Sequence, residues 1–115
     1  MIGLAHVDAD WHGDVPVARI EGEIDSSNAA QIGERLRTLL TNHLRTLVVD
    51  LSGTTYLDST GINLLFTIGG ELRGRQQTLR LVVVQGSPIA RMVTITSLDG
   101  AHPTYPTVAE ALAAD

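Results

Sequence analysis

Thr46-Leu47-Val48-Val49-Asp50-Leu51-Ser52-Gly53-Thr54-Thr55-Tyr56-Leu57-Asp58-Ser59-Thr60-Gly61 is the stretch on which the fold turns. Thr46 to Leu51 is a short apolar run broken only by Asp50, which suits a central strand covered on both faces. Ser52 to Asp58 reads as a loop, and a helix begins near Ser59. Beyond it Ile62, Leu65, Phe66, Gly69 and Leu72 lie along one helical face. A strand that runs through a polar loop into an amphipathic helix belongs to an α/β sheet. In such sheets function collects beyond the carboxyl ends of the strands.

The same alternation extends outward. Upstream, Ile2 to Ala9 reads as a weak first strand and Trp11-His12-Gly13-Asp14 as a turn. Val15 to Gly22 follows as a second strand, and the short connection makes an antiparallel hairpin. Pro16 pushes the start of that strand toward an edge, because proline donates no ladder hydrogen bond. Asp25-Ser26-Ser27-Asn28 is a cluster of cap formers. It precedes a helix from about Asn28 to Thr41, with Ala30, Ile32, Leu36, Leu39 and Leu40 at mostly helical spacing. Downstream, Leu79 to Val84 reads as another buried strand. Pro88 suits the first turn of a third helix, to about Leu98, although Val93 to Thr96 is β-branched and equally compatible with strand. Asp99-Gly100 ends it, and His102 to Tyr105 suits a short strand. Thr107 with Glu110 three residues on fits a capping box for a last helix through Ala113. The order ββαβαβα(β)α predicts a small α/β domain over residues 1–115. Its mixed sheet has four to five strands, with about four helices and parallel pairing through crossovers.

Composition bounds the function. Eight Lys and Arg against thirteen Asp and Glu give 8 − 13 = −5, with no basic run, a poor match to nucleic acid. Cysteine is absent, so disulfides, thiolate zinc sites and thiol nucleophiles are excluded. Aromatics are 3% of a chain that is 43% hydrophobic, so the core is aliphatic. No apolar stretch approaches the roughly 20 residues of a bilayer span, and the N-terminus lacks a basic segment before an apolar run. A soluble, cytoplasmic protein with no membrane partner is expected. At 115 residues there is little room for a substrate cleft.

Two polar clusters fall at strand ends: Asp25-Ser26-Ser27 and Asp58-Ser59-Thr60-Gly61. Helix capping accounts for both, since Asp, Ser and Thr are preferred N-caps worth about 1 kcal/mol. Gly61 fits close packing of the helix start against the sheet. A catalytic serine needs a nearby base. His6, His12, His43 and His102 are scattered, suit the surface and lack metal-ligand spacing. An aspartic-protease triplet fails because an extra residue separates Asp58 from Gly61. Nucleotide binding lacks its Gly-x-x-x-x-Gly-Lys loop. A third reading beside capping is a phosphoacceptor, an exposed serine whose modification changes how a partner binds, and no cofactor or metal is expected.

Gly22-Glu23-Ile24-Asp25, Val48 to Gly53, Leu57-Asp58-Ser59-Thr60-Gly61 and the ending Tyr105 to Leu112 together resemble a STAS domain. More narrowly, the chain is similar to bacterial anti-sigma factor antagonists (anti-anti-sigma factors). The resemblance covers nearly the whole chain. It implies a regulatory protein rather than an enzyme. The unphosphorylated form would bind an anti-sigma factor that is also a serine kinase, freeing the sigma factor. Phosphorylation of Ser59 would switch that binding off, and a serine phosphatase of the same pathway would restore it. The implied partner contacts are Asp25, Ser26, Asp58, Ser59, Thr60, Gly61 and Ile62, with Thr60 at the family's second hydroxyl. A STAS scaffold module of a stress-signalling or transport assembly, without a kinase cycle, is the alternative.

Some residues have readings of their own. Asp25 is a helix cap or a partner contact, and Asp50 a hydrogen-bonded group near the loop. Trp11 covers the hairpin end, and Arg73 and Arg75 answer the helix dipole without needing a partner. Gly69-Gly70 inside a helix costs about 1 kcal/mol per glycine relative to alanine. Close packing or a bend would account for it.

Overall fold

A computed structural model describes residues 5–114. Strand β1 (His6–His12) pairs antiparallel with β2 (Val15–Ile24), joined by a turn at Gly13-Asp14. The expected turn at Trp11-His12 is therefore strand. Trp11 pairs with Pro16 and is 52% exposed. The alternation of Val7, Ala9 and Trp11 with polar neighbours carries the ladder two residues further than loop-like composition suggests. Ile2 to Leu4 of the expected first strand lie outside the described residues. Helix α1 (Ala29–Arg37) leads to β3 (Thr46–Asp50), whose five residues are all buried. The expected helix to Thr41 ends early, because the chain turns at Thr38 and Leu39.

The segment from Thr54 to Leu57, read as loop, is a strand, β4. Helix α2 (Ser59–Gly74) follows, then β5 (Thr78–Val82) and α3 (Pro88–Ile95). The region read as one helix to Leu98 breaks at Ser97, which has φ +63, and Leu98–Ala101 forms a short α4. Asp99 and Gly100 therefore lie inside a helix rather than terminating one. The chain closes with β6 (Thr104–Tyr105) and α5 (Val108–Ala113). Ser87 caps α3 and Thr107 caps α5, each through its side-chain oxygen, and Pro88 occupies the first turn of α3.

The sheet order is β1-β2-β3-β5-β6, with β4 paired to β2, six strands where four to five were expected. All pairings but the hairpin are parallel. The hand-over in β2 is the unusual feature. Val17 to Arg19 pair with β3, and Gly22 to Ile24 pair with β4. The register shifts at Gly22, whose φ of +102 a side chain rarely tolerates. Thr54 Oγ1 donates to the Ile20 carbonyl at 2.7 Å, and Gly22 N–H donates to the Gly53 carbonyl at 3.0 Å. Backbone groups at the split are thus paired rather than buried bare.

Helices α1 to α4 cover one sheet face. Ile20, Leu47, Val49 and Leu81 meet Leu36, Leu65, Ile68 and Leu72 there in an aliphatic core. Leu39 and Phe66, core by spacing, are only partly buried. Helix α5 covers part of the other face, setting Val108 and Ala111 on Val17, Val48 and Val82. Buried Arg80 crosses that layer and donates to the Ala111 carbonyl at 2.8 Å. Asp50 accepts from Ser52 N–H at 2.9 Å and lies 3.6 Å from Arg19, so its place in an apolar strand is answered by partners. Among the described residues no helix is long and apolar enough to cross a membrane.

His102 corrects the reading of the histidines as surface residues, for it is only 6% exposed. Its ring fills the space a side chain at Gly69 would need, and a β-carbon there would overlap the imidazole. Close packing, not a bend, explains Gly69. Gly70 faces open space and has no such reason. Arg73 also has a partner after all: its guanidinium donates to the Ala101 carbonyl at 2.7 Å, tying α2 to the end of α4.

Two outcomes follow from this contact. Gly69→Ala gains helix propensity but overpacks the ring, for a net loss of about 1–3 kcal/mol, whereas Gly70→Ala gains up to about 1 kcal/mol. Urea unfolding midpoints that move the same way in both variants would contradict the packing account. Burial, then the Arg73 charge, lowers the His102 pKa below its ordinary 6.5. The unfolded chain therefore takes up a proton that the folded chain resists. This contribution is complete above pH 6.5 and is lost as pH falls toward the folded-state value. Glu71, held below 4.5 by its hydrogen bonds to Arg37, weakens only in more acidic solution. Chemical denaturation at pH 7.5 and pH 5 is expected to show a smaller acid loss in His102→Asn than in the parent.

Candidate functional site

The β2–β4 pairing builds the site. Ile24 pairs with Leu57, and Asp58 N–H donates to the Ile24 carbonyl at 3.3 Å. Asp25 and Asp58, the next residue on each strand, therefore leave the sheet side by side. The two clusters separated by more than thirty positions in sequence are brought together at one sheet end.

Each is then fixed locally. Asp58 has extended backbone angles, φ −94 and ψ −174, and its side chain accepts from Gly61 N–H at 3.0 Å. It is the N-cap of α2, which makes Ser59 the first helical residue. Ser59 is exposed and Thr60 half-buried. Gly61 is pressed between strands: a β-carbon would stand 2.9 Å from Ile24 Cγ2 and closer still to Leu57. Ile62 is 3% exposed and belongs to the core. In the isolated domain Gly61 and Ile62 thus set the pose of the helix start, while Ser59 and Asp58 reach solvent.

The Asp25 loop is self-contained. Asp25 Oδ1 accepts from both the hydroxyl and the backbone N–H of Ser27. The hydroxyl bond first, then the backbone bond, holds its carboxyl below the ordinary 3.8. Ser26 and Ser27 are exposed. Asn28, buried, accepts from Asp25 N–H and donates to the Glu23 carbonyl at 2.8 Å, so it ties the loop to β2. The Asp25 side chain organises this turn, and Asn28 stands at the N-cap position of α1 without a side-chain cap bond. The cap reading of Asp25 is therefore replaced by a turn-forming one.

A groove of about 450 Å³ adjoins Ser59, between the β4–α2 junction and α3. Tyr56, Leu57, Pro88, Ile89 and Met92 line it with Ser59. Sequence reasoning missed these walls. Tyr56, 52% exposed, was readable as a strand aromatic in Thr-Thr-Tyr-Leu, but nothing in the sequence places Met92 beside Ser59.

The STAS domain model matches residues 6–111. The chain belongs to the STAS-domain family. Its relatives include the anti-sigma-F factor antagonist RsfB of Mycobacterium tuberculosis, 30% identical over 102 residues, 88% of this chain and 81% of that protein. An anti-sigma factor antagonist from Mycobacterium paratuberculosis has a similar crystal structure, with TM-score 0.84 and 27% identity over 94% of this chain and 91% of that one. The antagonist SpoIIAA in its unphosphorylated form shares the fold at TM-score 0.73 and 20% identity, over 93% of each chain. The phosphorylated form of Bacillus SpoIIAA shares it at 0.67 and 21%, over 93% of this chain and 96% of that one. This STAS domain thus has the α/β fold its motifs implied.

The cap gives a direct test. Asp58→Ala should cost about 1 kcal/mol, while Asp58→Ser should retain most of it. An Asp58→Ala variant as stable as the parent in guanidinium denaturation would show that the side-chain cap contributes nothing.

Proposed function

We propose that this STAS domain is an anti-sigma factor antagonist whose unphosphorylated form binds an anti-sigma factor serine kinase. Phosphorylation at Ser59 releases it, and a serine phosphatase restores binding. The protein is a substrate and a docking surface rather than an enzyme. The observation that carries this is an exposed Ser59 at the first position of α2, directly after the Asp58 cap. The names of the relatives support the antagonist role. The fold neighbour solved in phosphorylated and unphosphorylated forms supports a cycle on this scaffold.

Phosphoryl transfer forms the Oγ–P bond on Ser59, breaks the bond from Pγ to its bridging oxygen, and releases ADP. The hydroxyl proton leaves to a base of the kinase. The product carries about −1.5 to −2 charges. In the free domain the N-terminus of α2 and bulk water stabilise that dianion. At an interface it meets Asp58 and Asp25 with the water removed, where like charges cost on the order of several kcal/mol. Each ~1.4 kcal/mol is tenfold in affinity, so charge alone suffices to dissociate the pair without refolding the domain.

Incubation with the cognate kinase and ATP, followed by mass spectrometry, is expected to place one phosphoryl group on Ser59. Modification elsewhere, or none, would count against the proposal and favour a scaffold role. Ser59→Asp should weaken kinase binding roughly tenfold or more, and Ser59→Ala should retain it. Equal affinities for the two variants would show that charge at position 59 is not the switch.

A further inference from the structure

We infer that the groove beside Ser59 is where the serine-kinase anti-sigma factor anchors itself, by seating apolar side chains against its walls. The inference rests on the Ser59 reading and adds to it the source of the affinity.

Three observations carry it. The groove is continuous with the phosphoacceptor, since Asp58 and Ser59 form one end of it. A segment that brings a γ-phosphate to Ser59 therefore lies over it. Its volume, about 450 Å³, falls in the range of sites that hold apolar groups, and its walls are Tyr56, Leu57, Pro88, Ile89 and Met92. Leu57 and Ile89 are buried in the floor, while Tyr56 and Pro88 stand exposed at the walls. Met92 is half-buried, and its unbranched thioether adapts to an incoming side chain.

Charge supplies the third argument. The polar end of the surface presents the carboxylates of Asp25 and Asp58, and a kinase brings nucleotide phosphates to the same place. Apolar contact beside the serine is offered by this groove. The same charges disfavour a second copy of the chain as occupant. Self-docking would set two Asp25–Asp58 pairs against each other, in a protein already at a net charge of −5. Ile95, 68% exposed, and Thr94 line a separate depression that does not include Ser59. They serve as an internal control.

The test uses the full chain and its cognate kinase. Met92→Lys and Tyr56→Lys, made separately, are each expected to weaken binding by roughly tenfold or more. Ile95→Lys should leave affinity unchanged. Circular dichroism melting identifies any variant that fails to fold, and the other wall variant then decides. Parental affinity in both folded wall variants, with Ser59 still phosphorylated, overturns the groove and leaves the Ser59 switch standing. A parent chain that is neither bound nor phosphorylated overturns the switch itself. Sedimentation showing a dimer that Met92→Lys dissociates would assign the groove to a second copy and overturn the inference.

Discussion

The site depends on one structural constraint: β2 must leave β3 and take up β4 within a few residues. A glycine with φ +102 permits the shift, and the Thr54 hydroxyl pairs the Ile20 carbonyl left at the split. Everything at the site follows from the new register. Ile24 lies beside Leu57, so Asp25 and Asp58 emerge together. The helix start is then drawn so close to both strands that a β-carbon at position 61 would overlap the Leu57 and Ile24 side chains. The pose of Ser59 is set by backbone pairing and core packing, not by a network of flexible polar side chains.

That arrangement suits a small domain. Four helices on one face and a short α5 on the other leave the β2–β4 end as a firm surface with a shallow groove instead of a cleft. The aliphatic interior supplies the rigidity, with Leu36, Leu65, Ile68 and Leu72 fully buried against the strands. On the proposed reading the protein contributes a hydroxyl and a shape, and the chemistry belongs to its partner.

Much of this was legible in the sequence because local chemistry and tertiary structure agree. Pro88 after Ser87, and Thr107 before Glu110, mark helix starts that the structure keeps. Asp58 before Ser59 marks the helix that matters most, and the apolar run of β3 announced its central place. What was missed depends on contacts distant in sequence. Thr54 to Leu57 is a strand only because β2 offers it an edge after Gly22, and alone it resembles a turn. His102 looks like a surface histidine until α2 provides a notch at Gly69 to receive it. The break at Ser97 likewise follows from no local signal, since it needs a non-glycine residue at positive φ. Asp25 stands beside Asp58 at the sheet end, but its bond to Ser27 makes it a turn former rather than a helix cap.

The turn at Asp25 also bears on how a charge at Ser59 is felt. A carboxyl whose ionised form is favoured by two hydrogen bonds takes up a proton less readily when another negative charge arrives. Asp58 stands beside it at the sheet end and caps α2, its side chain accepting from Gly61 N–H. Within the free domain the N-terminus of α2 favours the added charge, and water gives a further relief by screening it. Binding removes that relief. On the proposed reading, the two carboxylates add little cost to phosphorylation in solution and a large one in a complex. A switch needs such a difference between states, because a charge that was equally costly in both would change no affinity.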